Sequence, residues 1–166
     1  MRFRTFARAA VLSATGLFAA APSGHADDHQ CQKIGGGILT NFLDPSQCAS
    51  PVGLCTDGIA IGDWRGSVGV QVLGINGNVY HVRHHWVIDG GDTITLKDAY
   101  LTTFPTGDAN RVLLDYLNGV DITGGTGRFA GAAGHLSAVF GAIDLQLGEL
   151  TLRFSGDVCL APVRPS

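Results

Sequence analysis

Tyr80-His-Val-Arg-His-His-Trp86 gathers more proton-active side chains than any other stretch of the chain. Three histidines within five residues raise the question of a metal site, and strand geometry answers it. Side chains alternate between faces, so His84 and His85 point apart, and His81 and His85 share a face roughly 13 Å from one another. Arg83 stands between them and repels a cation. A metal would need ligands from another strand, so the segment predicts no metal site. Its other face carries Tyr80, Val82, His84, Trp86 and Ile88. That face is mainly apolar and is expected to turn inward. A buried imidazole is held neutral and can both donate and accept a proton. His84, with Tyr80 as a second polar group, is therefore the candidate for acid/base work on a proton-shifting reaction. The competing expectation is a satisfied hydrogen bond in a packed core.

Tyr116 and Asn118 share the parity of Val112, Leu114 and Val120, and are expected to face inward with Trp86 as ligand contacts. Phe140, in step with Leu136, Ala138 and Ala142, is expected there too. Asp115 and Asp121 fall on the outward parity, and no close carboxylate pair shares a cavity, which leaves glycosidase chemistry unsupported. No Gly-x-Ser-x-Gly elbow is present. Gly125-Thr-Gly127-Arg-Phe-Ala130 imitates a dinucleotide fingerprint, but a strand pattern follows where a helix should open.

The elements that must position these residues are strands. Val68, Val70 and Val72 alternate with small or polar residues. Asn76-Gly77 predicts a type I′ hairpin turn into a strand from Asn78 to Ile88. Asp89-Gly-Gly-Asp92 turns the chain into a strand from Ile94 toward Leu101. One long strand is expected from Val112 through Ile122, and two more over Leu136–Ala142 and Leu150–Phe154. Gly35-Gly-Gly37 and two Pro-containing dipeptides mark residues 27–57 as an irregular lead-in, with a short strand around Ile38 to Phe42. Of the 14 acidic residues only Glu149 is a glutamate, which fits turns better than helices. Some eight short strands without an amphipathic helix predict an all-β domain, compatible with a sandwich or a barrel. Sequential hairpins and linked ends favour an eight-stranded antiparallel closed β-barrel over residues 58–161, whose interior is just wide enough for side chains or one small ligand.

Residues 1–26 read as a secretory signal peptide: Arg2, Arg4 and Arg8 precede an apolar run from Ala9 to Ala21, with a cut after Ala26. The run is too short to span a bilayer. Three of the 11 basic residues leave with it, so 8 would face 14 acidic ones, a net charge near −6. That balance disfavours nucleic acid and anionic membrane surfaces as partners. Four cysteines in an exported chain suggest two disulfides, with three possible pairings. The favoured pairing is Cys48–Cys55 with Cys31–Cys159, the latter joining the ends of the domain. The expected compartment is extracytoplasmic, secreted or periplasmic.

Thr123-Gly-Gly-Thr-Gly-Arg-Phe-Ala-Gly-Ala-Ala-Gly134 resembles the glycine signature of the allene oxide cyclase/dirigent-type β-barrel superfamily, a calycin-like fold. Cys48-Ala-Ser-Pro-Val-Gly-Leu-Cys55 is similar to a segment of exported bacterial proteins sharing that signature, and Thr93-Ile-Thr-Leu-Lys-Asp-Ala99 is similar to the strand before it. The resemblance implies a closed barrel, no metal or organic cofactor, and activities that cyclise or isomerise a hydrophobic molecule or steer radical coupling. It transfers no catalytic residue. Three expectations follow: a barrel holding a small hydrophobic ligand, a cofactor-free cyclase, isomerase or dirigent-like protein, or a filled barrel meeting a protein partner in the envelope.

Overall fold

The stretches that alternate apolar and small residues become strands, and the Asp-, Gly- and Asn-rich punctuation becomes turns. A computed structural model describes residues 30–162. The signal-peptide reading falls outside these residues. The strands are β1 Gln30–Phe42, β2 Cys55–Gly62, β3 Gly66–Asn76, β4 Val79–Ile88, β5 Thr93–Leu96, β6 Ala99–Pro105, β7 Arg111–Asp115, β8 Val120–Gly125, β9 Ala133–Asp144 and β10 Glu149–Leu160. All pair antiparallel. β5 and β6 follow one another along β4, and β8 and β7 follow one another along β9. Ten segments therefore make eight staves. β10 closes on β1 from Gln30↔Leu160 to Asn41↔Glu149, so the sheet is an eight-stranded closed barrel.

Closure removes free edges and leaves one concave face for the apolar side chains. The end near Cys31 is solid. Trp64, in the β2–β3 turn, meets Trp86 and Phe129 edge-on at 5.6 and 5.9 Å, and stacks on Phe154 at 6.0 Å. Phe129 comes from the glycine-rich motif, which forms a three-residue 3-10 turn, Gly127–Phe129, between β8 and β9. That turn is too short to be the helix a dinucleotide site needs. Arg128 stays outside, over the Phe129 ring at 4.9 Å and 3.7 Å from Asp92. The motif thus supplies a plug for the barrel base.

Four expectations are corrected. Residues 30–42 are a full stave rather than part of an irregular lead-in, which is confined to the β1–β2 loop. The Gly35-Gly-Gly37 triplet is a close approach and not a break: a Cβ on Gly36 would lie 2.1 Å from the Ile61 carbonyl and 2.8 Å from the Phe154 ring. The β3–β4 turn is Gly77-Asn78, one residue later than expected. Gly77 adopts φ 60° while no non-glycine residue among those described has positive φ, a type II′ pattern. The long strand from Val112 to Ile122 is broken by a turn over Tyr116–Gly119, closed by Gly119 N–H donating to the Tyr116 carbonyl at 2.7 Å.

Both favoured disulfides are present, Cys31–Cys159 across the β1–β10 seam and Cys48–Cys55 within the β1–β2 loop. Their sequence separations are 128 and 7. Chain-entropy arguments make the long closure worth roughly 5 kcal/mol and the short one roughly 2.5, both as upper bounds. Replacing Cys31 and Cys159 by serine is expected to lower the urea unfolding free energy more than replacing Cys48 and Cys55.

Candidate functional site

Above the aromatic base the barrel is hollow. A cavity of about 360 Å³ opens at the opposite end, in the size range of small-molecule sites. Trp86 and Phe154 form its floor. Val68, Val70, Val82, Leu114 and Leu152 line its wall, and Leu145, 51 % exposed, stands at the mouth. The β1–β2 loop brings Leu54 to the cavity. It is held there by the Cys48–Cys55 bridge, by Val72 N–H donating to the Leu54 carbonyl at 3.0 Å, and by the Ser50 hydroxyl donating to the Val72 carbonyl. Among the described residues no charged side chain lines the cavity.

The uninterrupted pleat of β4 turns Tyr80, Val82, His84, Trp86 and Ile88 to the interior side, and Arg83, His85 and Val87 outward. Outside, Arg83 grips Asp98 through two hydrogen bonds of 3.0 and 2.7 Å, and His81 stacks on Tyr100 at 4.7 Å. Among the described residues no three His, Cys, Asp or Glu side chains gather to hold a metal.

Inside, His84 Nε2 lies 2.9 Å from the Tyr116 hydroxyl. That hydroxyl has no other hydrogen-bond partner among the described residues. Burial pushes the imidazole down from its ordinary 6.5 to about 4, against a weaker upward pull from Asp98. Burial raises the Tyr116 phenol well above its usual value. Both groups are therefore neutral near pH 7. Tyr80 also lines the cavity, but stands two inward positions nearer the mouth, roughly 13 Å along the strand. The structure pairs His84 with Tyr116, not with Tyr80.

Of the expected ligand contacts, Trp86 and Tyr116 line the cavity, and Asn118 and Phe140 do not. Asn118 sits in the exposed turn that interrupts the expected strand, against Lys97, Tyr100 and Asp121 on the outer surface. Phe140 is 48 % exposed on the outer wall. The cause is a bulge in β9: Ala138 pairs with Ser155 but His135 with Asp157, so Leu136 and Ser137 together oppose Gly156. One extra residue flips the parity beyond it. Leu136 and Val139 face in, and Phe140 faces out.

Sequence reasoning passed over Thr40 and Thr56. Both are buried, 2 % and 6 % exposed, and both line the cavity. Alternation in Ile38-Leu-Thr40-Asn-Phe42 carried the signal for Thr40, a hydroxyl on the apolar parity. Four buried side-chain polar atoms lack a hydrogen-bond partner among the described residues: Thr40 Oγ1, Thr56 Oγ1, His84 Nδ1 and Trp86 Nε1. All four belong to residues lining this one cavity.

No family model matches the chain, and no curated protein matches it. Among solved structures, a pterocarpan synthase dirigent protein aligns over 83 % of this chain and 89 % of its own length, at 12 % identity and a TM-score of 0.31. The barrel assignment rests on the strand pairing itself.

The buried imidazole couples stability to pH. An unfolded histidine takes its proton near pH 6.5 and folded His84 only near 4, so the unfolded state binds more protons between them. The stabilisation is complete above pH 6.5 and is lost as pH falls toward 4. It amounts to about 3 kcal/mol at most. Urea unfolding at pH 7 and 4.5 is expected to show a smaller acid loss in His84→Phe than in the unaltered protein.

Proposed function

We propose that this protein is an exported barrel that holds a small hydrophobic molecule in the mouth half of its interior. The single observation behind this reading is the uncharged cavity of about 360 Å³ above a solid aromatic base. A barrel with a filled core would leave no such space in an eight-stranded wall. Export is supported by two disulfides in so small a chain, since such bridges persist in oxidising compartments. The glycine signature is in keeping with the exported branch of dirigent-like barrels.

A neutral naphthylamine dye, N-phenyl-1-naphthylamine, tests the reading. The protein is expected to bind one equivalent with a blue-shifted emission. Val70→Phe, which puts a ring into the cavity, is expected to weaken uptake roughly tenfold or more. Absence of dye uptake by the unaltered protein, together with no co-purifying molecule in native mass spectrometry, would overturn it.

A second reading, a cofactor-free isomerase or cyclase, is favoured by the buried His84–Tyr116 pair at 2.9 Å. A neutral imidazole beside a phenol can take a proton from one carbon of a bound molecule and return it to another. On this reading, His84→Phe still takes up the naphthylamine dye but loses turnover, as followed by chromatography of the extracted ligand. Turnover that survives the substitution removes His84 from the chemistry.

A further inference from the structure

The polar atoms of the cavity define the chemistry of what it holds. The inference rests on the binding reading above. Tyr116 is buried, and a buried phenol hydroxyl normally finds an acceptor. Its hydrogen-bond partner is His84 Nε2 at 2.9 Å. When the phenol donates, Nε2 carries no hydrogen, and in a neutral imidazole the hydrogen then sits on Nδ1. His84 Nδ1 is thereby a donor, and it is buried without a partner among the described residues. Trp86 Nε1 can only donate, and it too is buried without a partner among the described residues, in a residue 3 % exposed. His84 and Trp86 lie two residues apart on the inner face of β4, roughly 7 Å along the strand. Thr40 and Thr56 reach the same cavity from β1 and β2, and the register joins Thr56 to His84 through Val70 on one cross-strand row. Hydroxyls both donate and accept, so they fit a polar group of either kind.

We propose that the ligand is a neutral apolar molecule bearing a carbonyl-type acceptor oxygen, seated against the N–H groups of His84 and Trp86. Two unpaired donors in an otherwise apolar wall cost free energy until an acceptor meets them, and that cost selects for oxygen over hydrocarbon. A carboxylate is excluded by the same wall. Among the described residues no lysine or arginine lines the cavity, and a buried anion there would go uncompensated. An amine or other cation is disfavoured by the two donors, which would point hydrogen at hydrogen.

Benzophenone and 1,1-diphenylethylene share one skeleton and differ by an oxygen in place of a methylene group, so they separate cavity filling from oxygen recognition. Equilibrium dialysis is expected to give the ketone roughly tenfold or more tighter binding. Its carbonyl infrared band, when bound, is expected below its position in hexane. Trp86→Phe keeps an aromatic ring and deletes one donor, and His84→Phe deletes the other; each is expected to narrow the ratio. If a variant fails to fold, the infrared band in the unaltered protein still decides. Equal binding of both probes with the carbonyl band at its hexane position would overturn the proposal, with water or protein motion satisfying the donors, and would leave the hydrophobic-binding reading standing. Failure of both probes to bind would count against the barrel as a binding site at all.

Discussion

The pairing of β1 with β10 is the constraint on which the rest of the barrel depends. It runs in unbroken register for the full length of both strands and brings the two ends of the described chain together. Without it the molecule is a curled sheet with two long edges, each a template for association. With it, the number of staves fixes the diameter, and the diameter fixes how much the interior can contain. Cys31–Cys159 lies on this seam. It converts the least local pairing in the chain into a covalent one, where loop-closure entropy opposes folding most.

Inside that fixed diameter, two ends of one tube do different work. The base is filled by large rings from four distant places in the sequence: Trp64 from a turn, Trp86 from β4, Phe129 from the glycine motif and Phe154 from β10. The mouth half is walled by Val, Leu and Thr, which leave room. The polar groups divide in the same way. Outside, Arg83 pairs with Asp98 and His135 with Asp121. Inside, buried His84 bonds to Tyr116, and four polar atoms of cavity-lining residues have no hydrogen-bond partner among the described residues. Such a concentration of unpaired groups is unusual for a packed core.

How much of this was legible depends on whether a strand keeps its period. β4 has no bulge of its own across Tyr80–Ile88, so period-two reading placed His84 and Trp86 on the inner face correctly. β9 carries an extra residue at Leu136–Ser137, and every side chain beyond it was assigned to the wrong face, Phe140 included. Asn118 was misplaced because a turn and a strand share Leu, Asn and Gly in Tyr116–Gly119, and only the hydrogen bond to Tyr116 separates them. The disulfides were legible because few pairings exist. The partner of His84 was not: Tyr116 sits 32 residues away, and their meeting is a product of closure rather than of any local pattern.

The seam has a further consequence, concerning orientation. Gln30 and Leu160 pair side by side, and the neighbouring Cys159 pairs with Ala133, just beyond the Phe129 plug. Both ends of the described chain therefore emerge from the sealed pole. A rigid attachment at either one would meet the barrel on the side opposite its mouth. The described barrel is built like a cup whose two chain ends lie at its foot.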